Sequence, residues 1–228
     1  MEFLLDTSDL TTIKKYLDII PLSGVTTNPS IIKKGGKVNF FAHLRKIREI
    51  LGTQRTFHVQ VVGTTTNQML ADAHRIRDKV GEDVYIKIPT NEAGLAAMKI
   101  LKKEDFKITA TAIYTTFQGY LAIEAGADYL APYYNRMVNM NIDAAHVIAA
   151  LSKQIAVSHV ATKVLAASFH TVEQVDSSIE NGAQAVTMGP DILATGLGLS
   201  MISGAVNDFT QDWKSIYGDT TIANLDVY

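Results

Sequence analysis

Residues 83–89 read DVYIKIP, and the lysine in the middle of that run is out of place by composition alone. Taken as a strand, the segment alternates: Val84, Ile86 and Ile88 point one way, Asp83, Tyr85 and Lys87 the other. Lysine is depleted in strands and is rarely buried without a partner. Burial penalises the ammonium, so a lysine aimed into an apolar interior titrates toward ~7–8 instead of its ordinary ~10.4. The neutral amine attacks a ketone and, on loss of water, gives an imine that drains electrons from the adjacent carbon. A carbon–carbon bond beside that sink becomes breakable. The same chemistry needs a group that carries protons for the carbinolamine and the departing hydroxyl. Asp6, ending the apolar run FLLD, is the carboxylate that the alternation turns inward.

Lys87 sits in one of eight short apolar segments, at 3–6, 24–27, 56–62, 84–89, 107–113, 127–133, 162–168 and 184–188. Helical patterns lie between them, at 9–20, 39–51, 65–80, 92–102, 116–125, 143–156 and 171–181, and two more follow at 191–202 and 205–217. Helix starts carry capping residues, as in TSDL and at Thr171 of SFHTVEQ. Two helices stop on a glycine directly before a strand, Gly126 and Gly182, where a left-handed residue is needed. Eight strands each followed by a helix pair in parallel through right-handed crossovers. At 228 residues the economical closure is a single-domain (β/α)8 TIM barrel spanning 1–228, with an extra C-terminal helix at about 205–217. The alternative is an open doubly wound sheet. No glycine-rich fingerprint follows the first strand, and the GLG at 196–198 reads as helix packing.

In such a barrel the carboxyl ends of the strands form the rim that carries chemistry. The pattern brings there Asp6, Thr26 and Asn28, Gln60, Lys87, Thr109 and Thr111, Tyr133 on the parity of Ala131, and Ser168. Arg136 follows strand six by a few residues. Each has an ordinary explanation alone. Asp6 can cap a helix, Asn28 before Pro29 is turn chemistry, and Gln60 and Thr111 can satisfy buried backbone groups. Their convergence on one rim, where valine or isoleucine would suffice, makes them a candidate site. His58 lies deeper on the parity of Gln60 and reads as a core residue, and His170 as an exposed loop residue.

Composition removes several classes of function. With 21 Lys+Arg against 23 Asp+Glu the net charge is −2, so there is no basic field for nucleic acid and no basic amphipathic run for a membrane surface. The absence of cysteine removes disulfides, thiolate metal sites and cysteine nucleophiles. The start MEFLLDTSDL lacks the pattern of a signal peptide, and a soluble, cytoplasmic protein is expected. The six histidines include no His-x-His or His-x-x-x-His pair, so no metal is expected; no pyridoxal-type phosphate cradle is visible, so no cofactor is either.

The stretches LLDTS, GVTTNPSII, VYIKIPTNEAGLAAMKIL, APYYNR and KVLAASF resemble the transaldolase-like class I aldolase family, closest to its fructose-6-phosphate aldolases, from Met1 to about Gly218. The resemblance implies Lys87 as the Schiff-base lysine and Asp6 as the general acid/base. It implies substrate contacts from Thr26, Asn28 and Ala131, with Ser168 and Arg136 holding the phosphate of the aldehyde half. Gln60, Thr111 and Tyr133 match the aldolase type, in which a water held by these groups protonates the enamine. Transaldolases of the family carry glutamate and phenylalanine at the positions of Gln60 and Tyr133, and hold the enamine for an acceptor aldehyde. The implied reaction is reversible cleavage of fructose 6-phosphate to dihydroxyacetone and glyceraldehyde 3-phosphate. Transfer of a dihydroxyacetone unit between sugar phosphates of the pentose phosphate pathway is the alternative, and a catalytically silent barrel scaffold the third reading. The resemblance also implies a ring-like homo-oligomer, of decamer type, with QDWKSIYG at 211–218 reaching onto a neighbour; Trp213 and Tyr217 packing on their own barrel is the simpler option. Three features depart from the family pattern: the loop 188–198, the tail 219–228, and Tyr134 beside Tyr133, which reshapes the acceptor side.

Overall fold

The computed structural model describes residues 1–225; the last three residues of the expected 1–228 domain and 219–228 tail lie outside the described residues. Eight parallel strands close into a barrel in sequence order. They are β1 (Glu2–Asp6), β2 (Gly24–Thr26), β3 (Thr56–Gln60), β4 (Tyr85–Pro89), β5 (Lys107–Ile113), β6 (Tyr129–Pro132), β7 (Lys163–Ala166) and β8 (Ala185–Met188). The helices between them are α1 (Leu10–Ile19), α2 (Pro29–Lys34), α3 (Phe40–Leu51), α4 (Thr66–Val80), α5 (Glu92–Lys102) and α6 (Thr116–Glu124). They continue with α7 (Tyr134–Asn139), α8 (Ala144–Ser158), α9 (Val172–Glu180), α10 (Pro190–Leu197) and α11 (Ser200–Tyr217). This is the α/β TIM barrel with a long C-terminal helix.

Side-chain alternation explains the layering. Outward residues such as Leu5, Phe57, Ile86, Ile88, Ile108 and Val164 are fully buried against the helices. Burial of each contributes roughly 1.5–3 kcal/mol. Inside the barrel, Leu4, Tyr129, Leu165 and Ala185 form a second apolar cluster with Tyr85 at its edge. Gly94 lets α5 press onto the end of the lysine strand, since a Cβ there would lie 1.8 Å from the Pro89 carbonyl oxygen. Gly126 and Gly182 follow α6 and α9 with φ of 84° and 91°, the left-handed stop that the helix–glycine–strand joints require.

The structure moves several boundaries and adds two short helices. The final helical stretches do not divide at residues 203–204. Gly204 lies within α11 with open space around it, and the break falls at Gly198–Leu199. An exposed glycine inside a helix costs only about 1 kcal/mol, which a long helix tolerates. Helix α8 runs on to Ser158 and stops at His159, left-handed at φ 52°. The short helices α2 and α7 were absent from the sequence pattern. Asn28–Pro29 opens α2 as cap and first residue, so the expected turn is a helix start. Residues 61–62, 133 and 167–168 lie past the paired strands, leaving Tyr133 and Ala167 to meet as a single parallel bridge. Among the described residues no single helix is long and apolar enough to cross a membrane.

Candidate active site

Register places Lys87 between Gln60 of β3 and Thr109 of β5. It is 4% exposed, enclosed by the barrel wall. Among the described residues its amine has neither a hydrogen-bond acceptor nor a direct ion pair. Burial lowers the Lys87 pKa from the ordinary lysine value, and the negative charge of Asp6, acting through space, opposes that fall. An amine enclosed by the barrel and without a partner is poised to lose its proton.

Asp6 ends β1 beside Thr26 of β2. The Thr26 hydroxyl donates to Asp6 Oδ1 at 2.6 Å and lies 2.6 Å from the Thr187 hydroxyl. Its single proton is committed to the carboxylate, so Thr187 donates to Thr26. Burial raises the Asp6 pKa, while Lys87, the Thr26 bond and the charge of Lys34 hold it back. The two groups thus deviate toward neutrality from opposite sides, which suits proton exchange between carboxyl and substrate.

A hydroxyl pair stands on the other side of the rim. Thr111 Oγ1 and Tyr133 Oη are 2.8 Å apart. Burial raises the Tyr133 pKa against the Thr111 bond and the charge of Arg136. Pairing of β5 with β6 shifts between Ala110 and Ile113, and Ala112 adopts φ 56°. That bulge keeps Thr111 inward while returning Ile113 to the outer core, where it is fully buried. Ala131, two residues before Tyr133 in the chain, is buried.

Gln60 ends β3 with its Oε1 buried and without a hydrogen-bond partner. Asn28 Oδ1 accepts the Ile31 N–H at 3.0 Å, so its oxygen serves as the α2 cap and its amide nitrogen is the group left for a ligand. Asn28 and Gln60 line a cavity of about 180 Å³. Ser168, left-handed at φ 63°, opens onto a larger cavity of about 930 Å³ together with Asp6, Lys34, His170 and Thr187. Arg136 does not line that cavity. Its guanidinium lies 4.6 Å from the centre of the Tyr133 ring, with Nη1 3.5 Å from the Tyr114 hydroxyl. The main chain next to Arg136 nonetheless meets Ser168, because the Asn135 N–H donates to the Ser168 carbonyl at 3.0 Å.

Asp6, Thr26, Gln60 and Lys87 therefore follow one another along one rim on β1 to β4, Thr111 and Tyr133 continue it on β5 and just past β6, and Ser168 stands at the wider mouth. His58 lies deeper and fully buried, bonded to Thr109 at 2.8 Å. His170 is exposed but borders the larger cavity. Sequence reasoning missed Thr187 and Lys34. The alternation of QAVTM puts Thr187 on the inner face with Ala185 and was the available signal. Lys34 had none, since it rides on the unforeseen α2.

Comparison with known proteins places this geometry in context. The pattern of the Transaldolase/Fructose-6-phosphate aldolase family matches residues 3–220. A relative from Streptococcus pneumoniae (strain ATCC 700669 / Spain 23F-1), described as a probable fructose-6-phosphate aldolase, is 50% identical over 222 residues, covering 97% of this chain and 100% of the relative. Among solved structures, thiamine phosphate pyrophosphorylase from Pyrococcus furiosus aligns with a TM-score of 0.57 at 11% identity, over 82% of this chain and 84% of the other. A structure described as native KDPGal aligns with a TM-score of 0.55 at 16% identity, over 83% and 82%. The last two share the fold. The match across nearly the whole length and the relative at half identity fix the family: this chain belongs to the transaldolase/fructose-6-phosphate aldolases.

Proposed function

We propose that the chain, one barrel domain, is a class I aldolase that reversibly cleaves fructose 6-phosphate to dihydroxyacetone and glyceraldehyde 3-phosphate. The observation that carries this reading is the buried, unpartnered Lys87 near a carboxyl held partly toward its neutral form. The amine attacks the C2 carbonyl, and Asp6 supplies the proton that lets the carbinolamine oxygen leave as water, giving the imine. Asp6 then takes the proton of the C4 hydroxyl as the C3–C4 bond breaks, and its electron pair passes into the imine to form the enamine. The aldehyde half departs. A water held among Gln60, Thr111 and Tyr133 protonates C3, and hydrolysis of the imine frees dihydroxyacetone and the amine. Thr26 and Asn28 meet substrate hydroxyls over Ala131, while Ser168 and Arg136 take the phosphate; the fork of Arg136 suits it.

Transaldolase activity is the second reading. Tyr133 argues against it, because its hydroxyl bonds Thr111 and offers the water a partner that phenylalanine lacks. Incubation with fructose 6-phosphate alone, then with erythrose 4-phosphate added, separates the two. Sustained glyceraldehyde 3-phosphate release without acceptor supports aldolase; turnover only with acceptor supports transfer.

The family reading extends to assembly and place. Helix α11 has no buried residue, and Ile202, Val206, Phe209 and Ile216 form an exposed apolar stripe at helical spacing. Trp213 and Tyr217 pack on each other, with ring centres 4.5 Å apart. A ring-like homo-oligomer of decamer type, in which α11 crosses onto a neighbour, covers that stripe. Light scattering of the chain and of Phe209→Asp tests it: a large assembly that falls apart in the variant is expected. A chain without cysteine suits work in the cytoplasm.

A further inference from the structure

Two buried polar atoms on β3 have no hydrogen-bond partner among the described residues: His58 Nε2 and Gln60 Oε1. Two residues apart, both side chains stand on the inner face of the barrel, His58 one layer below Gln60. Native interiors pair nearly all buried donors and acceptors, so two orphans on one face of one strand need a common reason.

The His58 ring has little freedom. It stacks on Tyr85, with centres 4.7 Å apart at 16°, and meets the edge of Tyr129 at 5.1 Å. Its Nδ1 is fixed 2.8 Å from the Thr109 hydroxyl. Thr109 and Gln60 both flank Lys87 in register, so the histidine forms the floor of the lysine pocket. Burial and the positive charges of Lys87 and Arg48 keep the imidazole uncharged. Tyr85 and Tyr129 also face it, and burial raises their pKa values, so both remain neutral. A neutral imidazole has one donor nitrogen and one acceptor nitrogen.

We propose that His58 is a positioning residue for Gln60: protonated at Nε2, it donates through one bridging water to Gln60 Oε1 and so holds the Gln60 amide nitrogen toward the reaction site. The Thr109 hydroxyl then donates to Nδ1, and no polar group on this path is left unpaired. The two unpartnered atoms supply the donor and the acceptor that such a buried water needs. With its oxygen engaged below, Gln60 meets the water that protonates the enamine as a donor only, which sets that water's lone pair and protons. This rests on the reading of Gln60 as one of the groups holding that water.

The test begins with the intact unliganded protein labelled with ¹⁵N-histidine, with His58 assigned by its loss in His58→Phe. The neutral Nε2–H tautomer throughout the neutral pH range is expected, and an Nδ1–H tautomer or an imidazolium overturns the proposal whatever the enzyme's activity. In His58→Phe, kcat for acceptor-free cleavage falls on the order of 10-fold to 100-fold. KM and borohydride trapping on Lys87 stay unchanged, and transfer to erythrose 4-phosphate gains relative to cleavage. An Nε2–H tautomer with an unchanged ratio of cleavage to transfer also overturns the positioning role. Should His58→Phe not fold, substitution of the other five histidines one at a time assigns His58 by elimination, and the native protein still decides between the tautomers. If the chain cleaves no fructose 6-phosphate at all, the aldolase reading fails separately, while the tautomer still reports on the hydrogen-bond chain.

Discussion

At the amino-terminal end of the barrel, Glu2 pairs with the Lys163 ammonium and accepts the Tyr129 hydroxyl at 2.7 Å. At the carboxyl-terminal end, Asp6, Lys87 and Tyr133 offer the same three chemical groups, the carboxylates standing on the same strand. Below, the ions touch, and burial with the Glu2 bond pushes the Tyr129 hydroxyl far up, so it stays a donor. Above, Lys87 and Asp6 act on each other only through space and each is displaced toward its neutral form. The lower set is satisfied and partly solvated: the Lys163 side chain is 43% exposed against 4% for Lys87 as a residue. A lysine stabilises the barrel where a carboxylate pairs with it at the surface, and becomes a nucleophile where burial leaves it unpaired.

Substitutions at the two ends should therefore have opposite effects. The largest is expected for Lys87→Met, which abolishes cleavage while raising stability by about 1 kcal/mol, or about 2–4 °C in Tm, by removing a buried unpaired amine. A variant that lost stability as well would break the contrast. Asp6→Asn should lower kcat by roughly 10²- to 10⁴-fold. Its residual activity carries a sign: the neutral amine is the reactive form, so activity rises with pH through the lowered Lys87 pKa. Removing the Asp6 charge removes what holds that pKa up, and the acid limb of kcat/KM moves to lower pH; a move to higher pH contradicts the through-space coupling. Tyr133→Phe should leave imine formation intact and shift the ratio of transfer to cleavage on the order of 10-fold, read with and without erythrose 4-phosphate. The smallest effects belong to the lower set. Tyr129→Phe removes one hydrogen bond to a charged acceptor and should cost about 1.5–3 kcal/mol in denaturant melts with kcat unchanged. Lys163→Met, exposed and screened, should cost less than about 1 kcal/mol.

Much of the upper site was readable because strand alternation is strict. Once FLLD and DVYIKIP are strands, Asp6 and Lys87 have no other way to point, and Thr26 and Gln60 take their direction from their own parity. Alternation fails where the backbone leaves the strand conformation. The left-handed residues Ala112 and Ser168 reset the parity of the residues after them, and nothing in KITATAI or KVLAAS announces them. Helices of six residues, such as α2 and α7, are too short to show a period, so Lys34 went unseen and Arg136 was placed only as following strand six. The division of the last helices was misread because glycine at 204 looks like a stop, although in the open it merely weakens a helix. The first turn of α7 sets the Arg136 guanidinium over the ring of Tyr133, three residues earlier, while its Tyr114 partner is one that only the fold brings near.

Reduction with borohydride in the presence of fructose 6-phosphate, followed by peptide mapping, tests most directly whether the buried lysine is the reactive one. One adduct, on the peptide carrying Lys87 and absent from Lys87→Met, is expected, with Lys163 unmodified. An adduct on Lys163 or Lys34, or none on Lys87, would contradict it.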